Sequence, residues 1–225
     1  MSDTESFIEE VTEEVRRDRL FALMKRYGWV ALVLIAIVVG GASWSEWRKA
    51  EAKTAAEKLG DEMLAALELN DSAARAVALE DIVPDAGPMA GQPVLDFLLA
   101  AQQSEAGDTS GAAETLNALA INGDIPDIYR QIAAFKALAL KDAGLSSDEK
   151  RLQYEALAQP GAPLRLLAVE QLALLDVQDG LTDAAIARLQ SVLDDAQVSA
   201  GLQQRAAQVI VALGGTPIIA VPAEG

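Results

Sequence analysis

The chain has 225 residues, 51% of them hydrophobic, with aromatics at only 4% and Asp+Glu at 34 against Lys+Arg at 18, a formal net charge of −16. So acidic a surface repels phosphate backbones and argues against nucleic acid as a partner. The absence of cysteine and histidine removes thiol nucleophiles, Ser-His-Asp triads and thiolate or imidazole metal sites, and no cofactor is expected.

Alanine and leucine supply much of the apolar content, which favours closely approaching helices over a β sandwich. Residues 1–26 sort their charge. Asp3, Glu5, Glu9, Glu10, Glu13 and Glu14 precede Arg16, Arg17, Arg19, Lys25 and Arg26, the order that suits a helix dipole. Ser6 with Glu9 fits a capping box, and Phe7, Val11 and Val15 share a face, so residues 6–26 are predicted as an amphipathic helix. Three readings of this cytoplasmic leader stay open: it lies on a bilayer, it docks a partner, or it is merely solvated.

Residues 27–45 hold no charge. Tyr27 and Trp29 mark one end, behind Lys25 and Arg26; Trp44 and Trp47 mark the other, ahead of Arg48. Twenty helical steps from Tyr27 to Trp47 span about 30 Å, the thickness of a hydrocarbon core. Aromatic pairs at both ends suit an interfacial belt, so 27–47 is expected to be a single transmembrane helix. A cleaved signal peptide is the rival, since Gly40-Gly41-Ala42 offers small residues. The long acidic leader and the second tryptophan pair oppose it. A buried core helix would leave those flanks unexplained. Five basic residues precede the run, and Arg48, Lys49, Lys53 and Lys58 follow it, so local charge barely orients it. A short leader before a large domain favours a cytoplasmic amino end. Residues 50–225, eleven basic against twenty-six acidic for a net of −15, then face the other side. No proline intervenes before Pro84, and Ala52, Ala56, Leu59, Met63 and Leu67 continue an apolar stripe. The helix is therefore predicted to run on to about Leu69.

Two series of punctuation follow. Turn-prone Asn70, Gly107, Gly144 and Gly180 are 37, 37 and 36 residues apart, and Pro93, Pro126 and Pro160 fall between them at intervals of 33 and 34. Short apolar-periodic segments between such marks predict a solenoid of helical hairpins over 48–214. An echo at a shift of 73 supports it. Leu99 and Ala100 map to Leu172 and Ala173, while Ala112, Leu116 and Leu119 map to Ala185, Leu189 and Val192. Small residues at matched places let two helices close, with larger ones filling the layers between hairpins. The hairpin at Gly144 departs, because Glu149 stands where an alanine is expected. A last helix near 200–213 reads as a solvating cap, and residues 215–225 as a loose tail.

The hairpins resemble degenerate tetratricopeptide repeats, matching at the Gly–Ala–Leu positions but lacking the usual first-helix Trp and Tyr. The fold class is therefore all-α: one transmembrane helix followed by a tetratricopeptide-like α-solenoid. The order of parts, with Lys25–Trp29 and Trp44–Arg48 flanking the span, resembles the YfgM-like family of bacterial inner-membrane proteins, ancillary subunits of the SecYEG translocon. That resemblance implies a periplasmic repeat domain meeting translocon subunits, a periplasmic chaperone and secreted client chains. Another envelope complex, respiratory or of the division machinery, is the alternative. Adjacent carboxylates such as Asp194-Asp195 point apart on a helix. No phosphate-loop, dinucleotide or calcium-loop spacing occurs. A scaffold is thus expected, with an enzyme restricted to Ser, Asp, Glu or Lys as the lesser alternative.

Overall fold

The computed structural model describes residues 3–84, 91–141 and 144–218, with the side chains of residues 3–28, 31, 32, 35 and 36 outside that description. The described residues are helical and hold no strand. In chain order the helices are α1 (Asp3–Leu67), α2 (Ser72–Glu80), α3 (Gln92–Glu105), α4 (Thr109–Ile121), α5 (Asp127–Ala139), α6 (Ser147–Leu157), α7 (Arg165–Gln178), α8 (Thr182–Leu193) and α9 (Ala200–Ala212). They divide into two units, Met1–Ala55 and Ala56–Gly225.

The first unit holds α1 as far as Ala55, and the rest of α1 belongs to the second. Trp29, Val33, Leu34, Ile37, Val38, Val39, Trp44 and Trp47 are all exposed on α1. The Trp44 and Trp47 rings lie 5.3 Å apart at 57°. Among the described residues no helix is long and apolar enough to cross a membrane. Lys25, Arg26, Tyr27, part of the uncharged run, and the leader's expected apolar face and capping box lie outside the described side chains.

In the second unit the punctuation falls between helices as the spacing predicts. Asn70 lies between α1 and α2, Gly107 between α3 and α4, Gly144 between α5 and α6, and Gly180 between α7 and α8. Pro93 sits in the first turn of α3, Pro126 caps α5, and Pro160 lies between α6 and α7. Gly107 and Gly180 adopt φ of 84° and 76°, a left-handed conformation that a Cβ disfavours. Each closes the same helix-ending motif. Asp108 N–H bonds Gln103 C=O and Gly107 N–H bonds Ser104 C=O; Leu181 and Gly180 bond Asp176 and Val177 in the same way. The freed carbonyls are satisfied and the chain reverses at once.

Packing is layered. One core cluster joins the end of α1 (Leu59, Ala66) to α2 (Leu79) and α3 (Leu95). The next joins α3 (Ala100), α4 (Ala112, Leu116, Leu119) and α5 (Ala133, Ala137). A third joins α5 (Leu138), α6 (Tyr154) and α7 (Ala168, Leu172, Leu175). The last joins α7 (Ala173), α8 (Leu189, Val192) and α9 (Leu202, Ala206, Ile210). The echoed pairs divide the work: Leu99 packs into the preceding layer and Ala100 into its own hairpin, and Leu172 and Ala173 do the same one shift later. Ala185 is fully buried.

Glu149 explains the odd hairpin. It is the third residue of α6 and forms a capping box with Ser146, so the site of a packing alanine is spent on starting the helix. Among consecutive pairs from α2 onward, α5 and α6 touch least. Tyr154 compensates, buried edge-on against Phe135 with centroids 5.6 Å apart.

A polar node lies beside this hairpin. Asp176 of α7, only 1% exposed, accepts from Arg151 of α6 at 2.6 Å and Arg188 of α8 at 2.7 Å, and Arg151 also reaches Asp179 at 2.8 Å. Burial pushes the Asp176 carboxyl up, but the bonds from Arg188 and Arg151 outweigh it and hold the group below the usual carboxylate range. Its stabilisation is therefore complete above about pH 4 and is lost as pH falls through the lowered value. At the chain's end, Gln190 bonds both the N–H and the C=O of Ile218, so residues up to 218 lie against α8.

Two outcomes follow from this packing. Ala185→Leu forces extra methylenes between α7 and α8 and should destabilise by roughly 1–3 kcal/mol; an unchanged melting curve would contradict the close approach. Asp176→Asn leaves Arg188 without its anion and Arg151 with Asp179 alone, and should cost roughly 1.5–3 kcal/mol at pH 7. In denaturant titrations that gap should narrow as pH falls below about 4, where the unfolded chain's carboxylate takes up its proton while the folded one is held below the usual range.

Candidate functional site

Layering leaves one face of α3, α5, α7 and α9 uncovered. Each of these helices contributes a pair of residues four apart: Phe97 and Ala101, Phe135 and Ala139, Glu170 and Leu174, Arg205 and Val209. Residues four apart share a helix face, so the pairs line up from helix to helix. The first half of the resulting groove is lined by Phe97, Ala101 and Ser104 of α3 with Phe135, Lys136 and Ala139 of α5. The second runs from Phe135 across Leu167, Gln171 and Leu174 of α7 to Gln208 and Val209 of α9. Phe135 belongs to both halves.

The groove has one ion pair in its floor. Glu170, 7% exposed, accepts from Nε and Nη2 of Arg205, both at 2.9 Å. That two-pronged geometry ties α7 to α9 and is the strongest form of such a pair. The hydrogen bond to Glu170 raises the Arg205 pKa further above its already high value. Away from the groove, Arg75 of α2 bonds Gln102 and Glu105 of α3 and the Leu69 carbonyl. Arg165 of α7 reaches Asp195 at 2.6 Å. All six arginines of the second unit, 75, 130, 151, 165, 188 and 205, are in ion pairs. Arginine charge is thus consumed in internal pairs, and acid remains in excess over residues 50–225.

Residues selected from the sequence occupy two other places. Leu99, Ala100, Ala112, Leu116, Leu119, Leu172, Ala173, Ala185, Leu189 and Val192 build the core or the hairpin contacts, and Gly107, Gly144 and Gly180 make turns with positive φ. Trp29, Trp44, Trp47 and Arg48 lie on the exposed part of α1. Only Ala100 and Leu116 also touch the groove. The groove residues Phe97, Phe135, Glu170 and Arg205 escaped notice because the four positions recur at repeat spacing with three different chemistries. The signal was the interval, not the residue type.

The chain belongs to the tetratricopeptide repeat-like domain family, whose model matches residues 23–144, more than half of its length. The match ends at the Gly144 turn, and α6 to α9 continue the same layering beyond it. No curated protein and no solved structure matches the chain.

Proposed function

We propose that this chain is a membrane-anchored scaffold, an ancillary translocon-associated factor whose repeat unit works in the periplasm with chaperones on secreted chains. Tetratricopeptide-like domains generally mediate protein–protein interactions. The observation that carries the reading is the groove. One face of four alternate helices is largely apolar and open, and Glu170, the one lining carboxylate among the described residues, is already engaged by Arg205. That surface fits polypeptide better than a small reacting molecule.

The anchor is supported by α1. Its exposed Val, Leu, Ile and Trp residues cover most of the helix circumference between 29 and 47, which suits lipid better than water. Tethering by one span raises the effective concentration near membrane partners toward ~mM, so weak contacts are occupied. The translocon assignment rests on the flanks Lys25–Trp29 and Trp44–Arg48 and the order of parts; a different envelope complex is served equally well by the same design.

Alkaline carbonate washing should leave the full-length protein in the membrane pellet. Recovery of a soluble form beginning near Ser43 would restore the signal-peptide reading. Photo-crosslinkers placed between 29 and 44 are expected to trap translocon membrane subunits, and those between 93 and 196 translocon-associated proteins. Capture of another envelope complex instead would move the scaffold to that complex.

A further inference from the structure

We propose that the outer face of α9 is a self-association surface, on which a second copy of this chain packs its own α9 antiparallel about a two-fold axis. The face is lined by Ala200, Gln203, Gln204, Ala207, Gln208 and Val211; of these only Gln208 also borders the groove. The positions follow an i, i+3, i+4 pattern, so they form one stripe along the helix. No helix follows α9 among the described residues, and Val211 is left 59% exposed.

Charge sets this face apart. Residues 50–225 carry twenty-six acidic side chains, yet none falls from Ala196 to Ala223. Each of α1 to α8 holds at least one Asp or Glu, and α9 holds none. Its single base, Arg205, is engaged by Glu170 of α7. Two copies of so acidic a unit repel each other wherever carboxylate-bearing faces approach. The α9 end of the stack is where they can touch without that cost.

The stripe is also complementary to itself. Reversed about its midpoint, Ala200 exchanges with Val211, Gln203 with Gln208 and Gln204 with Ala207. In an antiparallel pair the first exchange sets apolar against apolar. The second sets carboxamide against carboxamide, each able to donate and to accept. The third gives the longer Gln204 room beside a methyl, and the alanines let the helix axes approach to about 8 Å. One patch serving both partners is what a closed two-fold dimer requires. The glutamines that bar a further apolar repeat thus suit a copy of themselves. One helix face buries far less than the roughly 1,600 Å² of a standard interface, so the contact is weak. Its occupancy in a membrane rests on the anchor of the scaffold reading, which concentrates copies beside one another.

The chain has no cysteine, so disulfide trapping reads the contact directly. Full-length single-cysteine variants are floated with phosphatidylcholine vesicles and oxidised. An antiparallel pair brings position 200 of one copy to position 211 of the other. Mixing Ala200→Cys with Val211→Cys should therefore give about tenfold more disulfide dimer than either variant alone. Leu152→Cys, exposed on α6, should give no more than that background. Adding Gln203→Glu/Gln204→Glu to both cysteine variants should lower the mixed yield about tenfold, and pairing one such copy with a copy carrying Gln203→Lys/Gln204→Lys should restore it. A misfolded variant would not be rescued in this way. Trapping at position 152 as strong as in the mixture, or by Ala200→Cys alone, overturns the antiparallel pair. So does a yield indifferent to the added negative charge. Protein that fails to float sinks the anchor instead. The same oxidation is then read on the free chain at ~mM, a tethered concentration, where absence of the mixed disulfide overturns the inference.

Discussion

The repeat unit depends on alternate helices burying two stripes at once. Leu95, Leu98 and Leu99 of α3 face the layer behind, while Phe97 and Ala100 face the layer ahead. Leu172 and Leu175 of α7 look back, and Ala173 looks ahead. By contrast α2, α4, α6 and α8 each contribute to one core cluster. A helix buried on two sides has little circumference left, and what remains in α3, α5 and α7 faces the same way, in line with the open flank of α9, which is buried in one cluster. The groove is thus a by-product of the layering.

The same constraint explains how the stack ends. Helix α9 packs back through Leu202, Ala206 and Ile210 and has no following helix. Its other side carries Gln203 and Gln204 among Ala200, Ala207 and Val211, a polar dressing for a surface that would otherwise invite another repeat. The third hairpin shows the opposite strain. Giving Glu149 to a helix cap loosens α5 against α6, and Tyr154 and the Asp176 node take up the load. Burial pushes the Tyr154 hydroxyl to a pKa of about 12, so this side chain stays neutral in the core. Asp176 bonds a guanidinium on each neighbouring helix, α6 and α8, fastening the third hairpin to the fourth where apolar contact is thin.

Gly107, Gly180 and the prolines were legible as turns because glycine and proline act through their own backbone, whatever lies nearby. The alanine and leucine echo at a shift of 73 identified core positions, since burial in a repeating layer demands a repeated size. What one residue does by itself, or what a fixed period does for a helix, the sequence determined. The groove and the ion pairs belong to the tertiary structure. Glu170 and Arg205 are 35 residues apart and meet only because α9 lies beside α7, and nothing at either position announces the other. Asp176 reads as one more acid on an acidic chain until α6 and α8 bring Arg151 and Arg188 to it. Phe135 looks like a core aromatic until the layering leaves it half-buried where the two halves of the groove meet. Such roles depend on which side chains arrive from distant segments, and only the packed helices decide that.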